Sequence, residues 1–195
     1  VTDSAIQRRG RRGTELRIVD AAQRLADERG SIDGFTMDEL AEACDVSRRT
    51  LFNYFPSKVD AVLGPDVVLP SEAMDTFRTG GPSGDLIDDL QALVLAILEN
   101  EDVDQPTIQR FDRIVHANPV LLITLKERMR HMVERLVEAA VQRPGGDLPP
   151  RDVQVAIAVL GGVVEVAVTT FIDDPEQDFA ELIVSGITTV RRLFG

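Results

Sequence analysis

Arg48, Arg49, Thr50, Asn53 and Tyr54 fall within seven consecutive residues of a 195-residue chain. All five are hydrogen-bond donors of the kind that meet phosphate oxygens or base edges. Catalytic chemistry finds far less support. The single cysteine, Cys44, lies on an apolar stripe with Met37, Leu40 and Ala41, where a thiol packs rather than reacts. Asp112 with His116, and Glu127 with His131, repeat an i, i+4 spacing, yet lack the third and fourth ligands that zinc requires. No strand pattern occurs, so no glycine-rich phosphate loop can follow one. No catalytic residue, metal or cofactor is expected.

The elements that must position the five donors are two short helices joined by a tight turn. Thr36 is placed to N-cap the first, and Glu39, three residues on, completes a capping box. Asp45 suits the turn because it tolerates a left-handed backbone. Ser47 is a second N-cap, and Leu51 and Phe55 supply the inward face of the second helix. Pro56 ends that helix or opens the next, with Lys58 in its first turn. Helix, short turn and a basic, hydroxyl-rich helix make a helix-turn-helix, so this stretch is expected to bind DNA. The expected contacts are Thr36, Ser47, Arg48, Arg49, Thr50, Asn53, Tyr54 and Lys58. Arg48, Arg49 and Asn53 would read base edges, while Thr36, Thr50, Tyr54 and Lys58 would hold phosphates.

Residues 14–64 resemble the N-terminal domain of the TetR family of bacterial transcriptional regulators. The run from Val46 to Lys58, VSRRTLFNYFPSK, matches that family's recognition-helix signature, departing only upstream, where Cys44-Asp45 replaces the usual Ala-Gly. The resemblance implies a three-helix DNA-binding head, an all-helical ligand-binding body and a homodimer. It also places Tyr54 on the phosphates and Phe52 partly buried.

Charge distribution agrees with that division. The net charge is -12, yet residues 1–64 carry ten basic against eleven acidic side chains. Nearly all the excess acid lies in residues 65–195, which favours holding only the head against DNA. With one cysteine there can be no intrachain disulfide, and no secretory signal precedes the first helix. The longest apolar run, Val153 to Val168, is interrupted by Gln154 and Glu165 and falls short of the roughly 20 residues of a membrane span. A cytoplasmic protein without membrane contact is expected.

The expected fold is all-α in three parts. Residues 1–13, with Arg8, Arg9, Arg11 and Arg12, read either as a solvated tail or as an arm for the minor groove. Residues 14–64 form the head, whose first helix ends at Gly30. Residues 65–195 form the regulatory body, joined through a hinge near Gly64-Pro65. Its helices are expected at 71–78, 85–99, 106–117, 119–142, 151–171 and 176–194. Loops separate them at 79–84, at the acidic 100–105 and at 143–150. Asn118 and Asp174-Pro175 are the expected helix starts.

Two further sites follow from polar or small residues set in apolar helices. Arg110, Phe111, Arg113, His116, Met129 and Glu165 are the effector-site candidates. With apolar walls from Leu86, Leu90, Ile97 and Val164, they imply a hydrophobic ligand with an anionic end. Val159, Gly162 and Val163 with Leu182, Ile183, Gly186 and Val190 are candidates for a two-fold helical dimer interface. Three readings stay open: a repressor released from a palindromic operator by a ligand, an effector-free DNA-binding dimer, and a helical enzyme or lipid carrier. The recognition helix weighs against the third.

Overall fold

The computed structural model describes residues 2–99, 104–144 and 148–194, with side chains from Gly10 onward. Its elements are α1 (Thr2–Arg29), a 3-10 turn (Ile32–Gly34), α2 (Met37–Ala43), α3 (Arg48–Tyr54), α4 (Lys58–Leu63), α5 (Ser71–Arg78), α6 (Leu86–Leu98), α7 (Gln105–Ala117), α8 (Pro119–Val141), α9 (Pro150–Asp173) and α10 (Phe179–Phe194). No strand occurs among the described residues. The fold is all-α, with a helix-turn-helix head and a helical body. The central parts of the expected loops at 100–105 and 143–150 lie outside the described residues.

The chain divides into two compact units. The head unit holds the residues up to Asp66 together with Gln109–Arg128, and the body unit holds Val67–Ile108 and Met129–Gly195. A boundary near residue 64 is therefore present, but residues 109–128, expected in the body, fold with the head. Ile114, Val115 and Leu121 are buried in one cluster with Ile18, Ala22, Phe35, Leu40, Leu51, Phe55 and Val62. Truncating any large member of such a cluster costs about 2–5 kcal/mol.

Polar ties reinforce that packing. Asn118 was the expected cap of α8, but its Oδ1 instead accepts from the Ile32 amide at 2.9 Å while its Nδ2 donates to the Ile114 carbonyl. Buried Gln23 donates from α1 to the Val62 carbonyl at the end of α4. Arg128 donates to the Gly64 carbonyl at 2.6 Å and to Asp60 at 2.9 Å. The expected hinge at Gly64-Pro65 is thus held by a guanidinium. Gly64 has φ +72°, a conformation that glycine adopts without steric cost.

The N-terminal arm also differs from expectation. Residues 2–13 continue α1 as helix instead of forming a loose tail. Their sequence lacks an apolar stripe, but it also lacks proline, so nothing interrupts the helix that Ile18, Ala22 and Ala26 anchor.

The body unit is organised around α9. Val153, Ala156, Ile157, Leu160, Val163 and Ala167 form its buried side, packed with Leu90, Leu93, Leu136, Ala140, Ile183 and Ile187, while Phe171, also buried, meets the Phe179 ring at 5.5 Å. Helix α9 has 24 residues and, by length and composition alone, could cross a membrane. The apolar run seemed shorter in sequence because Gln154 and Glu165 interrupt it; both are exposed here. Helix α10 starts at Phe179, later than Asp174-Pro175 suggested, because Asp178 accepts from the Glu181 amide at 2.9 Å and supplies the cap.

One buried charge pair ties the body together. Arg143 donates to Asp89, which is fully buried and also accepts from the amide and hydroxyl of Ser83 at 2.7 and 2.8 Å. The Arg143 guanidinium stacks 4.6 Å from the centre of the Phe77 ring. Burial pushes the Asp89 carboxyl up, but Ser83 and Arg143 more than offset it and hold the group ionised.

Candidate nucleic-acid interface

Helix α3 exists because its ends are fixed. The Ser47 hydroxyl accepts from the Thr50 amide at 3.0 Å and shares a 2.7 Å hydrogen bond with the Thr50 hydroxyl. Before it, Asp45 takes φ +52° and the Val46 amide donates to the Ala41 carbonyl, closing the turn from α2. Helix α2 begins with the full capping box. The Thr36 hydroxyl accepts from the Glu39 amide, and the Glu39 carboxylate accepts from the Thr36 amide at 2.7 Å. Those bonds from Thr36 hold the Glu39 carboxyl below its ordinary range. Leu51 and Phe55 are buried in the head core, which fixes the rotation of α3 about its axis.

The opposite face of α3 is open. Arg49 and Asn53 are exposed there and make no ion pair or hydrogen bond through their side chains among the described residues. Arg48 is engaged: its guanidinium meets both oxygens of Asp38 on α2 at 3.3 Å and lies 5.6 Å from the Phe52 ring centre. Phe52 is 41% exposed, more open than expected, because the core positions beside it are already taken by Leu51 and Phe55. Tyr54 is half-buried, and the Arg11 guanidinium stands 5.6 Å over its ring. Thr36 uses its hydroxyl as the cap of α2, and the Thr50 hydroxyl is bonded to that of Ser47.

Lys58 departs most from expectation. Its Nζ donates to the Phe35 carbonyl at 3.0 Å, lies 5.4 Å from the Phe35 ring centre and faces Asp33 at 3.8 Å. The ammonium closes the head onto the 3-10 turn instead of standing free for a phosphate. Ser57 supplies the cap of α4, accepting from the Asp60 amide at 3.1 Å.

Residues 18–62 match the family model of the bacterial regulatory proteins of the tetR family, spanning α1 through α4. The head is thus similar to that of the tetR-family regulators. Among curated proteins it resembles the HTH-type transcriptional regulator TcmR of Streptomyces glaucescens, at 27% identity over 139 residues. That stretch is 66% of this chain and 62% of the relative, so the match spans less than two thirds of the relative's length. Among solved structures it resembles a crystal structure of a tetR family transcription regulator from Shewanella sp. PV-4, at 19% identity and a TM-score of 0.49. The overlay covers 90% of this chain and 95% of that one.

The effector-site candidates are not gathered around one cavity among the described residues. Arg110 binds Asp20 on α1 at 2.8 Å, and Arg113 binds Asp27 on α1 at 2.8 Å. Both guanidiniums are therefore paired within the head unit. Phe111 packs on the head core, and exposed His116 bonds the Asp112 carbonyl and faces its carboxylate at 3.3 Å. Met129 and Glu165 are exposed. None of the six lines either of two cavities found in the body unit, and neither do Leu86, Leu90, Ile97 or Val164.

The larger cavity, about 470 Å³, is lined by Leu95, Leu98, Glu99, Phe171, Gln177, Asp178, Phe179 and Ala180. The smaller, about 340 Å³, lies among α5, α6 and the loop between them, beside Leu93, Pro82 and Glu72. In sequence these positions lack the concentrated polar groups that draw attention to a pocket.

The dimer candidates divide by burial. Val163 and Ile183 belong to the body's own core. Leu182 and Val190 pack against that core, and a Cβ at Gly186 would meet Val163 at 2.5 Å. These five serve the contact between α9 and α10, which the apolar pattern alone could not separate from a contact between chains. Val159 and Gly162 lie on the other face. With Val155 and Val166, 56% and 66% exposed, they form an i, i+4, i+7, i+11 stripe. Nothing lies within 4 Å of a Cβ built at Gly161 or Gly162.

Proposed function

We propose that the protein binds a two-fold symmetric DNA site as a homodimer, acts as a repressor, and releases the site when a small hydrophobic molecule enters the body. The observation that carries this reading is the outward face of α3. It presents Arg49 and Asn53 without intrachain partners, on a helix whose caps and buried side fix its orientation. Unpaired donors in that setting suit the major groove, where Arg reads guanine and Asn reads adenine.

The stripe of exposed Val155, Gly162 and Val166 with half-buried Val159 on α9 supports the dimer. Glycines there let two helices approach closely, and a two-fold contact brings two heads to one duplex. The cavity beside Phe171 and Phe179 falls within the size range of small-molecule sites. Its ionisable lining groups are Glu99 and Asp178, so it favours a neutral or cationic hydrophobic ligand over the anion that the arginines had suggested. Such a protein acts where the chromosome is, in the cytoplasm.

Selection from a random duplex pool tests the reading. Wild-type protein should enrich a site with two-fold symmetry and half-sites a helical turn or slightly more apart. Hydrophobic acids, neutral aromatics and cationic drugs are then added to the complex. Release by the last two classes supports the ligand assignment, and release by none leaves an effector-free dimer.

A further inference from the structure

Helix α3 places Arg49, Phe52 and Asn53 at i, i+3 and i+4, so the three share one outward patch. Two are polar readers; the third is an aromatic ring that the fold does not use. Phe52 is 41% exposed, whereas Leu51 and Phe55 on either side of it in sequence are buried. The ring is also held in place. Arg48 meets both Asp38 oxygens and lies 5.6 Å from the ring centre, so a guanidinium anchored to α2 supports one side of it.

Arg48 is thereby removed from the free base-readers, and the apolar ring takes its place in the patch. The major-groove edge of a base pair offers one apolar group, the C5-methyl of thymine, and phenylalanine is a side chain that contacts it. We propose that Phe52 reads a thymine methyl in each half-site of the operator, and so determines specificity beside Arg49 and Asn53. This rests on the DNA-binding reading above.

The chemistry allows a single-group test, because uracil keeps thymine's pairing and its O4 acceptor but lacks the methyl. A duplex enriched from the random pool by intact protein is resynthesised with dU replacing dT at each symmetry-related pair of positions in turn. Binding is then measured for wild type, Phe52→Ala and Phe52→Leu, each checked for helicity and melting. At one pair of positions, wild-type affinity should fall about fourfold per half-site, the worth of one buried methyl-sized group. Phe52→Ala should be indifferent to that replacement, and Phe52→Leu should keep part of the sensitivity. An enriched site without thymine, tolerance of dU at every position, or equal dU losses in wild type and Phe52→Ala would each overturn the assignment. Failure to enrich any duplex would instead overturn the DNA-binding reading itself.

Discussion

The guanidinium of Arg113 lies 2.8 Å from the carboxylate of Asp27, joining α7 to α1 across 86 residues of sequence. With Arg110 on Asp20 and Arg128 on Asp60, it makes residues 109–128 part of the head unit. The hydrogen bond from Arg113 holds the Asp27 carboxyl below its ordinary range, and Asp27 in turn raises Arg113. Asp27→Asn should nevertheless destabilise only slightly, because both groups are partly exposed to solvent. Thermal unfolding of the intact protein measures it.

Acid should act on the same contacts. Asp27 and Glu39 both have lowered pKa values when folded, so their contribution is present above the unfolded carboxylate range and is lost as pH falls through the folded values. The head should therefore weaken below the ordinary carboxylate range and be indifferent to pH just above it. Denaturation followed across that window checks the sign. A wild-type protein that loses no stability there, or loses as much as an Asp27→Asn, Glu39→Gln variant with matched starting stability, would contradict it.

Arg143→Met should be far more damaging than any surface substitution. It strands the carboxylate of Asp89 in a fully buried site with only Ser83 to satisfy it. Breaking a buried pair on one side costs about 3–5 kcal/mol. The double variant Asp89→Leu, Arg143→Met should recover part of that loss in a denaturant titration.

Lys58→Ala separates a latch from a phosphate contact. Because Nζ bonds the Phe35 carbonyl, its loss should lower the head's stability by about 1–2 kcal/mol while leaving the salt slope of DNA binding unchanged. A slope reduced by about one phosphate at unchanged stability would restore the phosphate role.

Gly162→Glu tests the stripe on α9. No atom lies within 4 Å of the added Cβ, so the protomer should fold normally while a second copy is repelled. Sedimentation should show a dimer for wild type and folded monomer for the variant. An unchanged dimer would contradict the assignment.

Much of this was legible in the sequence, for physical reasons. Capping residues, a turn Asp and i, i+4 pairs act locally, so α2, α3 and the turn between them follow from residues 36–55. The longer helices follow from their apolar periodicity. What escaped depends on partners far apart in the chain. Nothing near Arg113 signals Asp27, and Arg143, beside a Pro-Gly-Gly loop, gives no hint of a carboxylate 54 residues earlier. Arg110 and Arg113 stand out as charged groups among apolar neighbours, and their explanation is an ion pair with α1. On α9 and α10, an apolar stripe could not reveal which face the protomer buries for itself.

Sequence reading by the outward face of α3 is measured by the ratio of affinities for an enriched duplex and a random duplex. That ratio is taken at fixed salt for wild type and Arg49→Ala, with melting shown to be equal. The ratio should fall about tenfold or more in the variant, through loss of specific binding, while affinity for random DNA changes much less. Equal weakening on both duplexes, with the ratio unchanged, would contradict it.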